Sequence, residues 1–270
     1  MNETILTSID TSCKSLKLPF SSTEFSIMAE EESFSVEAVS AIEKLLRYIR
    51  ERKEENKVQT LLRLSRLPLR NPKTFKSFDF TAIHGKHAQQ LQSLRTLAAI
   101  YAHKNVILIG PPGTGKTHLA QAFGYECCKQ GMKTHFVKIT ELRDRFNNAR
   151  STGRTAKVIN GLVRPSCLII DEVGHCQFDK ENTQLFFDLI DRRYNKEGHS
   201  NIIFTSNKNP ALWKEDFCDS SSLLCALDRI FDEATVFTIR GNSFRGDNLE
   251  SYTLESTRIK GTGNVSKPIL

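Results

Sequence analysis

Residues 110–117 read "GPPGTGKT", in which Gly110, Gly113 and Gly115 let the backbone turn tightly just before Lys116 and Thr117. The N–H groups of such a turn converge on an anion, and a helix opening directly behind it adds the positive end of its dipole. The stretch fits the phosphate-binding pattern G-x-x-x-x-G-K-[ST], between the strand-like "NVILI" and the helix-like "HLAQAFGYECC". Gly110, Pro111, Pro112, Gly113, Thr114, Gly115, Lys116, Thr117 and the adjoining His118 are the candidate ATP-binding residues. Lys116 is suited to bridge the β- and γ-phosphates, and the Thr117 hydroxyl to hold Mg²⁺.

Four further residues could complete a hydrolytic site. "CLIIDE" ends an apolar run on Asp171 and Glu172, and the carboxyl ends of strands are where open α/β sheets bind ligands. There Asp171 would coordinate Mg²⁺ through a bound water, and Glu172 would polarise the water attacking the γ-phosphate. "NIIFTS" delivers Asn207 to the same edge, where its amide could orient that water, although Asn after a strand is also a common turn residue. Arg229 lies in "SSLLCALDRIF", on a helical wheel away from the side formed by Leu223, Leu224, Ala226, Leu227, Ile230 and Phe231. It either reaches outward or forms an i,i+4 pair with Glu233, worth only a few tenths of about 1 kcal/mol.

The elements that must position these residues follow from hydrophobic pattern. After residue 100 the runs "NVILIG", "KTHFVKI", "SCLIIDE", "NIIFTSN" and "ATVFTI" alternate with amphipathic stretches, which predicts buried parallel strands joined by helices in a doubly wound α/β sheet. Before residue 70, apolar residues recur at helical spacing from Val36 to Ile49 and again from Val58 to Leu64. Pro68 and Pro72 discourage a helix from running through "LPLRNPKTFKSFDF". The expected organisation is a helical, basic N-terminal domain over 1–70, a linker over 71–82, an ATPase core over 83–250 and a tail over 251–270.

Lys and Arg total 38 against 31 Asp and Glu, a net charge of +7 that favours an anionic partner without requiring one. Arg63, Arg66 and Arg70 close the N-terminal region, and Arg143, Arg145, Arg150, Arg154 and Lys157 crowd a segment that parses as two short helices around residues 151–153. These are the candidate DNA-binding residues. Phe146 is the single aromatic residue among the basic residues of that segment, which points to phosphate contact and away from stacking on a series of bases. A solvated helix face is the plainer alternative. The seven cysteines lack metal-ligand spacing, His175 beside Cys176 included, and read as reduced thiols of a soluble, cytoplasmic protein. No stretch approaches a membrane span, and "MNETILTSID" is unlike a signal peptide.

Together, "GPPGTGKTHLA", "LIIDEVG", "FFDLIDRRY", "IIFTSN", "ALDRI" and "IRGNSFR" resemble the AAA+ ATPases of the DnaC/IstB group, most closely its IstB-like insertion-sequence members. The resemblance covers nearly the whole chain, since "LLRYIRERKEENKVQTLLRLSRLP" and "KTFKSFDF" resemble the group's basic helical N-terminal region and its link into the core. It implies an AAA+ P-loop ATPase core with a five-stranded parallel sheet flanked by helices, plus a small helical N-terminal domain. Lys116 and Thr117 take Walker A roles, Asp171 and Glu172 Walker B roles, Asn207 that of sensor 1, and Arg229 that of an arginine finger toward ATP on a neighbouring subunit. Only about 25 residues follow "IRGNSFR", too few for a lid domain. This fits the group and leaves sensor 2 unassigned, with Arg240 and Arg245 as substitutes. The resemblance further implies a homo-oligomer assembled on double-stranded DNA with ATP, and a transposase as partner. A replicative helicase takes that place in the DnaC-like alternative. A self-contained P-loop kinase, active as a monomer, is the rival from another class.

Overall fold

The computed structural model describes residues 3–218, 220–232 and 234–241. The chain begins with helices α1 (Glu3–Leu16), α2 (Ser22–Glu31) and the 30-residue α3 (Val36–Ser65), followed by the short helices α4 (Ala88–Gln92) and α5 (Ala98–Tyr101). Strand β1 (Asn105–Ile109) leads into α6 (Lys116–Lys129), and β2 (Thr134–Lys138) into α7 (Ile139–Ser151) and α8 (Thr155–Val163). Then come β3 (Cys167–Val173), α9 (Lys180–Tyr194), β4 (Asn201–Ser206), α10 (Ser220–Asp232) and β5 (Ala234–Thr238).

The five expected strands form one parallel sheet in the order β2-β3-β4-β1-β5. Successive residues of β1 feed opposite cores, as the two-residue strand period requires. Val106 and Leu108 join Leu119, Phe123 and Cys127 of α6 on one face. Ile107 and Ile109 join Leu142 and Phe146 of α7, Phe186 and Leu189 of α9 and Ile230 of α10 on the other. A sheet buried on both faces needs apolar residues at nearly every strand position, which is why its strands read as continuous hydrophobic runs. The expected absence of a lid, "RGNSFR" beyond Gly241, Arg245 and the tail over 251–270 all fall outside the described residues.

The N-terminal helices make a small core of their own from Ile9, Cys13, Phe25, Ala29 and Val39. Ser21 and Ser35 cap α2 and α3 by accepting from Glu24 N and Ala38 N. Farther along α3, Leu61 and Leu62, with Leu67 beyond it, join the α6 side of the sheet core, so one helix serves both cores. Several of its basic residues are engaged within the chain. Arg50 donates to Ser12 Oγ at 3.3 Å, and Lys53 Nζ to the carbonyls of Ser15 and Leu16 at the end of α1.

Arg193 ties the elements behind the sheet together. Only 2% exposed, it donates to the carbonyls of Leu162, Val163, Pro165, Ser166 and Asn201, which join the end of α8 to the starts of β3 and β4. Burial pushes its pKa down to about 10, so it stays charged at neutral pH. Arg193→Met fills similar space but strips donors from buried carbonyls. The variant should lose about 2–4 kcal/mol of unfolding free energy in a urea titration, and a loss below about 1 kcal/mol would show that water replaces the guanidinium.

Candidate nucleotide site

β1 ends in the glycine-rich turn, which must lie against other backbone. A Cβ on Gly110 would stand 2.1 Å from the Ile239 carbonyl oxygen, and one on Gly115, at φ +85°, 2.6 Å from the Phe78 ring. Neither position admits another residue without displacing its neighbour. Thr114 Oγ1 donates to the Pro111 carbonyl at 2.9 Å and closes the turn. Lys116, the first residue of α6, is buried and donates to the Gly110 and Pro111 carbonyls at 2.7 Å each.

The acidic pair sits on a β-bulge. The β3–β4 register steps from Ile170↔Phe204 to Val173↔Ser206, three residues on one strand against two on the other. The extra residue puts Glu172 at φ +62°, a left-handed conformation that costs a non-glycine residue about 1–3 kcal/mol. Thr205 holds the distortion from the adjacent strand, since its hydroxyl donates to Asp171 Oδ1 at 2.5 Å and accepts from the Glu172 N–H at 3.0 Å. Asp171 turns inward to meet Thr117 Oγ1 at 2.8 Å, and Glu172, the next residue, turns outward to pair with Lys138 Nζ at 3.0 Å.

Asp171 is 1% exposed, and burial raises its pKa, opposed by the hydroxyls of Thr205 and Thr117. Its Oδ2 is buried with no hydrogen-bond partner. A buried carboxylate oxygen without a partner, next to a threonine hydroxyl and a phosphate-binding turn, is the hard-oxygen donor set that Mg²⁺ takes from a protein. The residues present therefore fit that ion.

A cleft of about 580 Å³ brings the candidates together, lined by Gly113, Gly115, Lys116, Thr117, His118, Glu172 and Asn207. Asn207 Nδ2 lies 3.2 Å from His175 Nε2 within it. Sequence reasoning missed Thr205, Lys138, His175 and Lys73, the last lining the cleft from the linker. Thr205 and Lys138 lie at the carboxyl ends of strands, the signal that had pointed to Asp171 and Asn207. His118 turns toward the linker, its Nε2 lying 2.9 Å from the Thr74 carbonyl and 3.2 Å from Ser77 Oγ, with its ring edge-on to Phe78.

Arg229 lies away from this cleft, 30% exposed, with Nε 2.9 Å from Asp191 Oδ1. Its expected local partner, Glu233, is outside the described residues. Among the DNA candidates, Arg63 and Arg70 are exposed. Arg66 pairs with Glu141, which also accepts from Arg145 at 2.9 Å and so joins the end of α3 to α7. Arg143 is paired with Asp144, and Arg150 with Asp179 and Glu181, whereas Arg154 and Lys157 line a cleft of about 450 Å³ with His135 and Arg145. No group of three or more metal-ligating residues occurs among the described residues, nor any helix long and apolar enough to cross a membrane.

Residues 11–251 match the model of a family described as IstB-like ATP binding protein. Over 236 residues the chain is 36% identical to a protein of insertion sequence IS5376 of Geobacillus stearothermophilus, covering 86% of this chain and 91% of that one. It is 37% identical over 188 residues to a protein of insertion sequence IS21 of Pseudomonas aeruginosa, covering 70% and 69% respectively. The names of both assign ATP binding provisionally. Similar solved structures include AMPPCP-bound DnaA from Aquifex aeolicus, with a TM-score of 0.52, 21% identity and coverage of 64% of this chain and 51% of that one. DnaI follows with a TM-score of 0.51, 17% identity and coverage of 64% and 90%. The chain thus spans about half the length of DnaA, and both likenesses concern the fold.

Two outcomes follow from the site. Thr205→Val leaves the Glu172 N–H without its acceptor and should cost about 1–3 kcal/mol in chemical denaturation. Unchanged stability would show that the bulge holds itself. His118 has its pKa lowered from the usual 6.5, chiefly by burial. The unfolded chain therefore takes up the proton more readily, and stability falls as pH drops through the unfolded value. Between about pH 7.5 and about pH 5.5 the Tm of His118→Gln should fall less than that of the parent, and parallel declines would contradict this assignment.

Proposed function

Because this chain belongs to the IstB-like ATP-binding family, we propose that it hydrolyses ATP at sites shared between its own copies and assembles on duplex DNA in the cytoplasm. There it helps a transposase engage target DNA. The observation that carries the hydrolytic part is the buried, unpartnered Asp171 Oδ2 beside Thr117, with Glu172 turned out into the same cleft. The insertion-sequence relatives support the transposase as partner. The net charge of +7 and the Arg154–Lys157 cleft support a nucleic-acid backbone as ligand.

Lys116 and the N–H groups opening α6 counter the charge of the phosphates. Thr117 and Asp171 would hold Mg²⁺, which when bound neutralises charge on the β- and γ-phosphate oxygens. Glu172 accepts the proton of the attacking water as its oxygen bonds to the γ-phosphorus, and ADP departs with the bridging oxygen. Asn207, beside His175, orients that water. Arg229 of a second copy meets the negative charge of the γ-phosphate.

Glu172→Gln should lower hydrolysis by about 10²–10⁴ and leave ATP binding intact. Mixing Glu172→Gln subunits with Arg229→Ala subunits should restore part of the activity, because some sites then combine an intact Glu172 with an intact Arg229. Solution mass should rise with a slowly hydrolysed ATP analogue and duplex DNA together. A mixture that recovers nothing, alongside dilute monomers of full activity, would overturn shared sites in favour of a self-contained enzyme.

A further inference from the structure

The last turn of α9 directs four consecutive side chains to different neighbours. Asp191 Oδ1 forms an ion pair with Arg229 Nε of α10 at 2.9 Å, and the Tyr194 hydroxyl donates to Asp232 Oδ2 of the same helix at 2.6 Å. Arg192 Nη2 donates to Asn160 Oδ1 of α8 at 2.5 Å, and Arg193 to the Leu162 and Val163 carbonyls at the end of α8. Consecutive helical residues point about 100° apart, so one turn can grip elements on opposite sides. Here it joins α8, which carries Lys157 and follows Arg154, to the helix that carries Arg229.

Arg229 is held at more than one point. Its Nη1 donates to the Cys225 carbonyl at 3.0 Å, and its guanidinium lies over the Phe187 ring of α9 at 5.1 Å from the centroid. Among the described residues Nη2 makes no hydrogen bond. A planar guanidinium held at Nε and Nη1 and stacked on a ring leaves its remaining donor in a set direction, which lowers the entropy lost on meeting an anion from outside.

We propose that Asp191 is the positioning residue of Arg229, and that the last turn of α9 conveys binding of a nucleic-acid backbone at α8 to that arginine. Backbone binding thereby raises ATP hydrolysis in a neighbouring copy. The inference rests on the role given above to Arg229. The route it follows is one of direct contacts, because every step from α8 to Arg229 is a side-chain contact made by one helical turn.

The test uses the full chain and measures ATP hydrolysis with and without duplex DNA, together with the affinities for a fluorescent ATP analogue and for the DNA. Asp191→Ala should lower the DNA-stimulated kcat about tenfold at unchanged KM for ATP. The double variant with Arg229→Ala should be no worse than Arg229→Ala alone, since both remove one effect. Asp191→Asn, which keeps an acceptor, should recover part of the loss. Arg192→Ala should leave basal hydrolysis and DNA affinity unchanged but reduce stimulation by about threefold or more. If Arg229→Ala is impaired while Asp191→Ala is fully active, or if their effects multiply in the double variant, the proposal is overturned and the role of Arg229 stands. If Arg229→Ala keeps full stimulation, that role itself fails and the link with it.

Discussion

The buried carboxylate of Asp171 is the constraint around which the site is arranged. Removing an ionised carboxylate from water is costly unless its oxygens are satisfied, and here Oδ1 is shared by the Thr117 and Thr205 hydroxyls while Oδ2 has no partner. Those two threonines come from α6 and β4, so the carboxylate binds the glycine-rich turn, the bulged strand and its neighbour into one unit. The left-handed backbone at Glu172 persists because the Thr205 hydroxyl accepts its N–H. Local strain is thus offset by contacts made across the sheet, an arrangement typical of catalytic edges.

The same edge is connected to the basic parts of the molecule. Lys138 ends β2, precedes α7 and pairs with Glu172, so the acidic residue turned toward the cleft touches the start of the α7–α8 segment. Glu141 on α7 joins Arg145 to Arg66 at the end of α3. His118 and Phe78 hold the linker against the first turn of α6. Several arginines that look like free surface charge in a linear reading are structural ties. Arg150 holds Asp179 at the start of α9, whereas Arg154 and Lys157 face a cleft together with Arg145.

The bounds of the strands were legible because a doubly covered sheet demands unbroken apolar runs, and "CLII" or "NIIF" can hardly be anything else beside their turn residues. The break between α7 and α8 was legible from Gly153, and the phosphate-binding turn from its glycines. What escaped reading were side chains whose partners lie far along the chain. Thr205 meets Asp171 across 34 residues, Arg66 meets Glu141 across 75, and Asp191 meets Arg229 on another helix. A helical wheel placed Arg229 off its own apolar side yet could not supply Asp191 or Phe187, since both belong to the neighbouring helix.

The sequence by itself determined the strands, the helices and the phosphate-binding turn, because backbone conformation responds to neighbours within a few residues: glycine where a side chain would clash, proline where a helix must stop, apolar residues at the period of the element. Only the tertiary structure decided which oxygen of Asp171 stays unpaired, which way Glu172 turns and which arginines remain outside ion pairs. Those outcomes depend on strand order and register. One extra residue in β3 is invisible to local pattern, but it sets Val173 instead of Glu172 opposite Ser206 and leaves Glu172 in a left-handed backbone conformation.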